Sequence, residues 1–432
     1  LAGGAPPARG AGAGPAERAH SSRGTVQEDA IMSQVLLPSL RARSVPSFKV
    51  MQMLARARAL EAEGRSVLHL EVGQPSAGAP AGAVEAAVAA ARGPAAGAGY
   101  TQSAGLPQLR SRVAQHYSER YGAQVEKEAV AITTGSSAGF VLAFLAAFEP
   151  GQKVALATPG YPCYRSILET VGVEPVPIPV GPETNFQPTV AMLDQAEREV
   201  GQISGVCVAS PSNPTGTVVS KAELAALSGW CRGRGAWLVS DEIYHRVEYG
   251  APVGGRVTTS AAELPCWRDH AIILNSFSKY YCMTGYRIGW AVVPEPLRDA
   301  WDALAQHLFI CPPAVSQHAA LAAFDCDAEL QGHVDRYARN REVLLEGLPK
   351  AGFGELSRAE GAFYVYADVS GLTDDSEALC NRILEETGVA CTSGADFDRE
   401  RGSGYVRFSF CGDGDEVREA MRRLQNTHGW RA

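Results

Sequence analysis

The segment Ala271-Ile272-Ile273-Leu274-Asn275-Ser276-Phe277-Ser278-Lys279 runs on into Tyr280-Tyr281-Cys282-Met283-Thr284-Gly285-Tyr286-Arg287-Ile288-Gly289, and its reading decides how this 432-residue chain folds. The first four residues form an apolar run of strand length without alternation, which suits a strand covered on both faces. Lys279 is one of six lysines, with Lys49, Lys127, Lys153, Lys221 and Lys350. Between two apolar runs a solvated lysine is not expected. Desolvation depresses the pKa of such an amine and makes it a nucleophile. Arg287, eight positions on, adds a planar guanidinium fitted to bidentate phosphate contact.

Runs of the same kind recur outward from this segment: Val130 to Ile132, Val154 to Ala157, Gly205 to Ala209, Trp237 to Val239 and Trp290 to Val293. Rich in Val, Ile and Ala, and separated by helical spacing, they predict an α/β fold with a mainly parallel sheet covered by helices. Ahead of them, helical spacing to about Gly64 (Met51, Leu54, Leu60) precedes a strand signal over Val67 to Val72 that ends in Gly73-Gln74-Pro75. Past Pro312 come helices over Ser316 to Phe324 and Val334 to Leu348 and strand signals at Ala362 to Ala367 and Tyr405 to Phe410. A closing helix near Glu416 to Leu424 completes a smaller α+β unit. The division expected is a disordered tail (1–31), an N-terminal arm with part of the small domain (32–75), a large domain (76–320) and a small C-terminal domain (321–432).

Polar residues cluster just past the ends of the apolar runs, where open α/β sheets bind ligands. Thr134-Gly135-Ser136-Ser137, Ser210 to Gly216, Ser240-Asp241-Glu242-Ile243-Tyr244 and Ser276 to Lys279 thus converge on one edge. Gly135-Ser136-Ser137 opens a helix, so free N–H groups and two hydroxyls face whatever anion sits there; a phosphate ester fits, although small residues before a helix are often only caps.

Bulk properties narrow the function. Net charge is -8, and Lys and Arg are nowhere clustered among aromatics, which argues against nucleic acid. The ten cysteines are scattered without zinc or thioredoxin spacings and read as reduced, mostly buried packing residues; no metal is expected. The uncharged stretch from Ala129 to Phe148 has a polar middle, Thr133 to Ser137, which reads as strand, loop and helix rather than a membrane span. The first thirty or so residues, rich in Ala, Gly, Pro, Arg and Ser, read as an extension or a fragment of a targeting peptide, which places the chain in the cytoplasm or, if it targets, in an organelle.

Taken together, Ser276-x-Ser278-Lys279 with Gly285-x-Arg287-x-Gly289, Ser212-Asn213-Pro214-Thr215-Gly216, Asp241-Glu242-Ile243-Tyr244, Gly99-Tyr100-Thr101, Gly361-Ala362-Phe363-Tyr364 and Val406-Arg407-Phe408-Ser409 closely resemble the class I aminotransferases, fold-type I enzymes dependent on pyridoxal 5'-phosphate. The resemblance spans about Leu37 to Leu424. It implies that Lys279 holds the cofactor as a Schiff base and that Asp241 faces the pyridine nitrogen. Asn213 and Tyr244 would bond the phenolic oxygen, and Tyr161 would stack on the ring. Ser136, Ser137, Ser276, Ser278 and Arg287 would hold the phosphate, with Tyr100 reaching it from the other subunit of a homodimer. Arg407 would anchor the substrate carboxylate, helped by Asn213 and the Gly73 backbone. His245 and the cysteines at 282 and 391 are assigned to structure.

The implied reaction is ping-pong transfer of an amino group from an L-amino acid to a 2-oxo acid. A β-lyase or an aminocyclopropane-carboxylate-synthase-like outcome uses the same motifs, and a non-enzymatic cofactor-binding subunit is the remaining alternative. With no second carboxylate-binding arginine identifiable, the side chain of the substrate stays open.

Overall fold

A computed structural model of the chain describes residues 36–93, 97–250 and 256–427, so the expected tail of residues 1–31 lies outside the described residues. The apolar runs become strands β1 (Leu68–His69), β2 (Val130–Thr133), β3 (Lys153–Thr158), β4 (Glu174–Pro179), β5 (Gly205–Ala209) and β6 (Trp237–Asp241). Further along lie β7 (Ala271–Ser276), β8 (Gly289–Val292), β9 (Tyr364–Asp368), β10 (Val389–Ala390), β11 (Thr392–Ser393) and β12 (Tyr405–Ser409).

One seven-stranded sheet has the order β2-β8-β7-β6-β5-β3-β4. Its strands are parallel from β7 through β6, β5 and β3 to β4. The exception is β8, antiparallel to both β2 and β7. Parallel neighbours need a long crossover, usually a helix, whereas an antiparallel return needs none. Here the segment that carries Lys279 and Arg287 turns the chain straight back, and Ser276 of β7 pairs with Gly289 of β8. The Trp290 run is thus a strand of this sheet, as its apolar character implies, but with reversed direction.

All six residues of β7 are buried, which is why its sequence shows no alternation. Ile272 and Leu274 pack on one side with Phe140 and Phe144 of the helix Gly135–Ala147, while Ala271 and Ile273 face the other cluster with Leu238 and Val206. Shortening such a residue, Ile273→Ala for example, costs about 2–5 kcal/mol.

β4 has no counterpart among the runs read from sequence. Its Glu-Pro-Val-Pro-Ile-Pro composition looks like a strand breaker, yet it pairs on one side only, with β3. Proline is tolerated on an edge strand. The alternation is present: Val176 and Ile178 are buried and the prolines between them point outward or are half-covered.

The 129–148 stretch resolves as β2 followed by the helix Gly135–Ala147, and among the described residues no helix is long and apolar enough to cross a membrane. Elsewhere β11, β12 and β9 form an antiparallel sheet and β1 pairs in parallel with β10. The strand expected over Val67 to Val72 is shorter, limited to Leu68–His69. Residues from Leu40 onward form one compact unit; the four described residues before it, 36–39, have no helix or strand.

Candidate active site

The topology delivers the four expected loops, from β2, β5, β6 and β7, to one edge of the large sheet, and the loop after β3 joins them. Lys279 sits at the centre. Its Nζ donates to the Gly73 carbonyl at 2.7 Å and lies 5.5 and 5.6 Å from the ring centroids of Tyr244 and Phe363. Burial pulls the amine down to about 8; Arg407 and Arg287 push the same way, while Cys411 and Asp241 oppose. A buried amine that loses its proton near neutrality is a nucleophile in waiting.

Asp241 ends β6 with its side chain 2% exposed. It accepts from the Tyr164 hydroxyl and, at 3.0 Å, from the Ile243 amide. Burial raises its carboxyl to about 6, and these two hydrogen bonds together with Lys279 hold it back from going higher. Strand alternation sends its neighbour Glu242 the other way, toward Ser240, the Ala261 amide and His245. His245 is buried there, 2.8 Å from the Tyr121 hydroxyl, and burial lowers it to about 4, in keeping with a structural assignment. Sequence reasoning missed Tyr164. It falls three residues after Tyr161 on the helix Pro162–Val171, where a tyrosine reads as ordinary core.

Arg407, from β12, is buried and donates to Asn213 Oδ1 at 2.9 Å and to the Glu71 carbonyl. Its guanidinium lies 4.4 Å over the Tyr364 ring and 4.8 Å over that of Phe397. Asn213 and Arg407 are thereby brought together, as are Tyr244 and Tyr364, whose hydroxyls are 2.7 Å apart. Glu71 was also missed: its backbone oxygen orients Arg407, while its enclosed carboxylate is held by His69 Nδ1 at 2.7 Å.

At the other end, the helix Gly135–Ala147 presents its N-terminus to Arg287. A methyl group built on Gly135 would overlap the Arg287 guanidinium and stand 2.9 Å from its Cζ, so only glycine, at φ +71°, leaves the cradle open. Ser276 and Ser278 are buried and bonded to each other at 2.9 Å. In the first turn of the Gly135–Ala147 helix, Ser136 is half-buried and Ser137 is exposed. Free N–H groups at a helix start with a guanidinium against them form an anion site. Tyr161, after β3, is half-buried, with its ring parallel to Phe48 at 6.4 Å. Tyr100 stands apart, 85% exposed, in an open hollow with Thr134, Leu308 and Phe309.

Against this geometry, the sequence profile of aminotransferase class I and II matches residues 65–424. The chain belongs to that family. The valine–pyruvate aminotransferase of Mycobacterium tuberculosis is 48% identical over 391 residues, 89% of this chain and 97% of the relative. Among solved structures, an aminotransferase from Mycobacterium tuberculosis superposes with a TM-score of 0.85 at 47% identity, covering 90% of this chain and 98% of that one. The aspartate aminotransferase of Thermus thermophilus, solved with maleate, gives 0.82 at 29% identity, covering 90% and 99%.

This aminotransferase is therefore a pyridoxal phosphate dependent enzyme that moves an amino group from an amino acid to a 2-oxo acid. Its residues fit that cofactor. An anion cradle at Gly135 and Arg287, a buried low-pKa amine at Lys279 and a buried carboxylate at Asp241 match a phosphate, an aldehyde and a ring nitrogen respectively. Among the described residues no cluster of His, Cys, Asp and Glu could hold a metal.

Proposed function

We propose that this aminotransferase works in ping-pong order on a small apolar L-amino acid, valine foremost, with pyruvate as the amino acceptor, and that Lys279 is its catalytic amine. The observation that carries the reading is Lys279 Nζ, buried, held at 2.7 Å by Gly73 and flanked by the charges of Asp241, Arg287 and Arg407.

Bound pyridoxal phosphate supplies an aldehyde for the amine and a ring that draws electron density away from the substrate Cα. Arg287, with Gly135, Ser136, Ser137, Ser276 and Ser278, holds the phosphate. Asp241, kept ionised by Tyr164, the Ile243 amide and Lys279, keeps a proton on the ring nitrogen. Tyr161 would cover the ring, and Asn213 and Tyr244 would supply hydrogen bonds to its phenolic oxygen. Arg407, fixed by Asn213 and the Glu71 carbonyl, grips the substrate carboxylate with the Gly73 amide and so turns the Cα hydrogen toward Lys279. Lys279 Nζ would then take that proton and pass it to the cofactor's aldehyde carbon within the same half-reaction, and would carry a proton the opposite way when the 2-oxo acid is aminated.

The Mycobacterium relative, 48% identical, carries the valine–pyruvate name, and that name supports valine as donor and pyruvate as acceptor. The exposed Tyr100, Leu308 and Ile310 suit a homodimer in which Tyr100 completes the partner's phosphate site. The assignment we propose is a large domain over 76–320 and a small one over 321–432, both within the compact unit that starts at Leu40, with 32–75 an N-terminal arm and part of the small domain. Initial rates for a panel of amino donors, each with pyruvate and with 2-oxoglutarate, test the substrate reading; valine with pyruvate is expected to lead, and a strong preference for aspartate with 2-oxoglutarate overturns it.

A further inference from the structure

Tyr364 begins β9 and is buried from solvent. Its ring lies under the Arg407 guanidinium, 4.4 Å from centroid to Cζ, and its hydroxyl is 2.7 Å from that of Tyr244. The same hydroxyl occupies the space a side chain at position 73 would need. A methyl group on Gly73 would overlap the oxygen and stand 2.7 Å from the Tyr364 Cζ. Gly73 in turn receives the Lys279 amine on its carbonyl. One phenol thus touches the residues that hold the substrate anchor, the amine and the second tyrosine.

Counting protons gives the direction of the tyrosine pair. A phenol has one hydrogen and donates once. If Tyr244 donates to the cofactor's phenolic oxygen, the 2.7 Å contact is a hydrogen bond only when Tyr364 is the donor.

We propose that Tyr364 is a positioning residue for the transfer reaction: its O–H donates to Tyr244 and so turns the Tyr244 proton toward the cofactor, while its ring and oxygen hold Arg407 and Gly73 in place. This rests on the assignment of Tyr244 as donor to the phenolic oxygen. A donor on that oxygen competes for it with the proton on the lysine-bound nitrogen, so losing the donor raises the pH at which that proton leaves.

The test is a pH titration of the holoenzyme's visible absorption band. Tyr364→Phe removes one oxygen and keeps the ring; the midpoint is expected to rise by roughly half to one pH unit, the worth of one neutral hydrogen bond. Its kcat is expected to fall about 3- to 10-fold with KM for the amino acid little changed. Tyr244→Phe raises the midpoint at least as far, and the double variant matches Tyr244→Phe alone, because Tyr364 acts through Tyr244. Gly73→Ala, whose methyl pushes the Tyr364 oxygen aside, shifts the midpoint the same way. Tyr366→Phe, which deletes a buried hydroxyl without a hydrogen-bond partner two residues along the strand, leaves it in place. A Tyr364→Phe midpoint equal to wild type beside a shifted Tyr244→Phe overturns the inference, as do additive shifts in the double variant. No shift in either single variant overturns the assignment of Tyr244 itself.

Discussion

Arg407 Nη1 meets Asn213 Oδ1 at 2.9 Å, and this one hydrogen bond ties β12 of the three-stranded sheet to the loop that follows β5 of the seven-stranded sheet. The proposed substrate anchor and a proposed cofactor ligand are thereby set in one frame. Both are buried, so the planar guanidinium has its direction fixed before substrate arrives.

Replacing that fork by a single ammonium tests its role. Arg407→Lys keeps the charge but loses the bidentate geometry and the contacts over Tyr364 and Phe397. The expected result is a fall in kcat/KM for the amino acid of about 10- to 100-fold, carried mostly by KM. Steady-state kinetics with the amino donor varied at saturating oxo acid measure it.

Gly73→Ala has no room for its methyl group, which falls on the Tyr364 oxygen. Overpacking of this kind costs about 1–3 kcal/mol of stability. Because the Gly73 carbonyl also receives Lys279, turnover is expected to drop by more than tenfold while the far-ultraviolet spectrum stays native. Thermal melting and initial rates on the same preparation separate the two effects.

The two buried ionisable groups at the centre lower stability before the cofactor binds, with opposite pH windows. Asp241 has a folded pKa raised from 3.8 to about 6, so it favours the folded state below pH 3.8 and loses that contribution as the pH rises through 6. Without cofactor, Asp241→Asn is therefore expected to be more stable than wild type at pH 7, by on the order of 2 kcal/mol, with the gap closing toward pH 4. Its activity is expected to be at least 100-fold lower. Lys279 has a folded pKa lowered from 10.5 to about 8, so its penalty is full below pH 8 and is relieved as the pH rises toward 10.5. Denaturant titrations across pH read both windows.

The same lysine sets the pH dependence of cofactor capture. Only the neutral amine attacks the aldehyde, so the rate at which the cofactor-free enzyme takes up pyridoxal phosphate should climb with pH and level off above about 8. Stopped-flow absorbance follows this, and a rate flat from pH 6 to 9 contradicts the value assigned to Lys279.

How legible this was in the sequence depended on what each residue had to signal. Lys279 stood out because a strand buried on both faces cannot alternate, and a lysine just beyond such a strand has no solvent to explain it. The roles given to Asp241 and Arg407 came from the resemblance of the motifs around them, because an acid at a strand end or an arginine on a strand face fits a cap or a surface ion pair equally well. β4 was hidden by its three prolines, which mimic a loop unless the strand is known to lie at an edge. The reversal of β8 was equally hidden, since burial on both faces looks the same whichever way a strand runs. Tyr164 and Tyr364 carried no polar signature either. A buried tyrosine is core by composition, and only the position of its hydroxyl, against Asp241 in one case and Tyr244 in the other, separates it from packing.

Borohydride reduction of the holoenzyme, followed by peptide mapping, tests the role of Lys279 most directly. The cofactor should be found fixed to the peptide that contains Lys279, and Lys279→Ala should take up no fixed cofactor and lose at least about 100-fold in turnover. Label on any other lysine, or a Lys279→Ala variant that turns over at the wild-type rate, contradicts it.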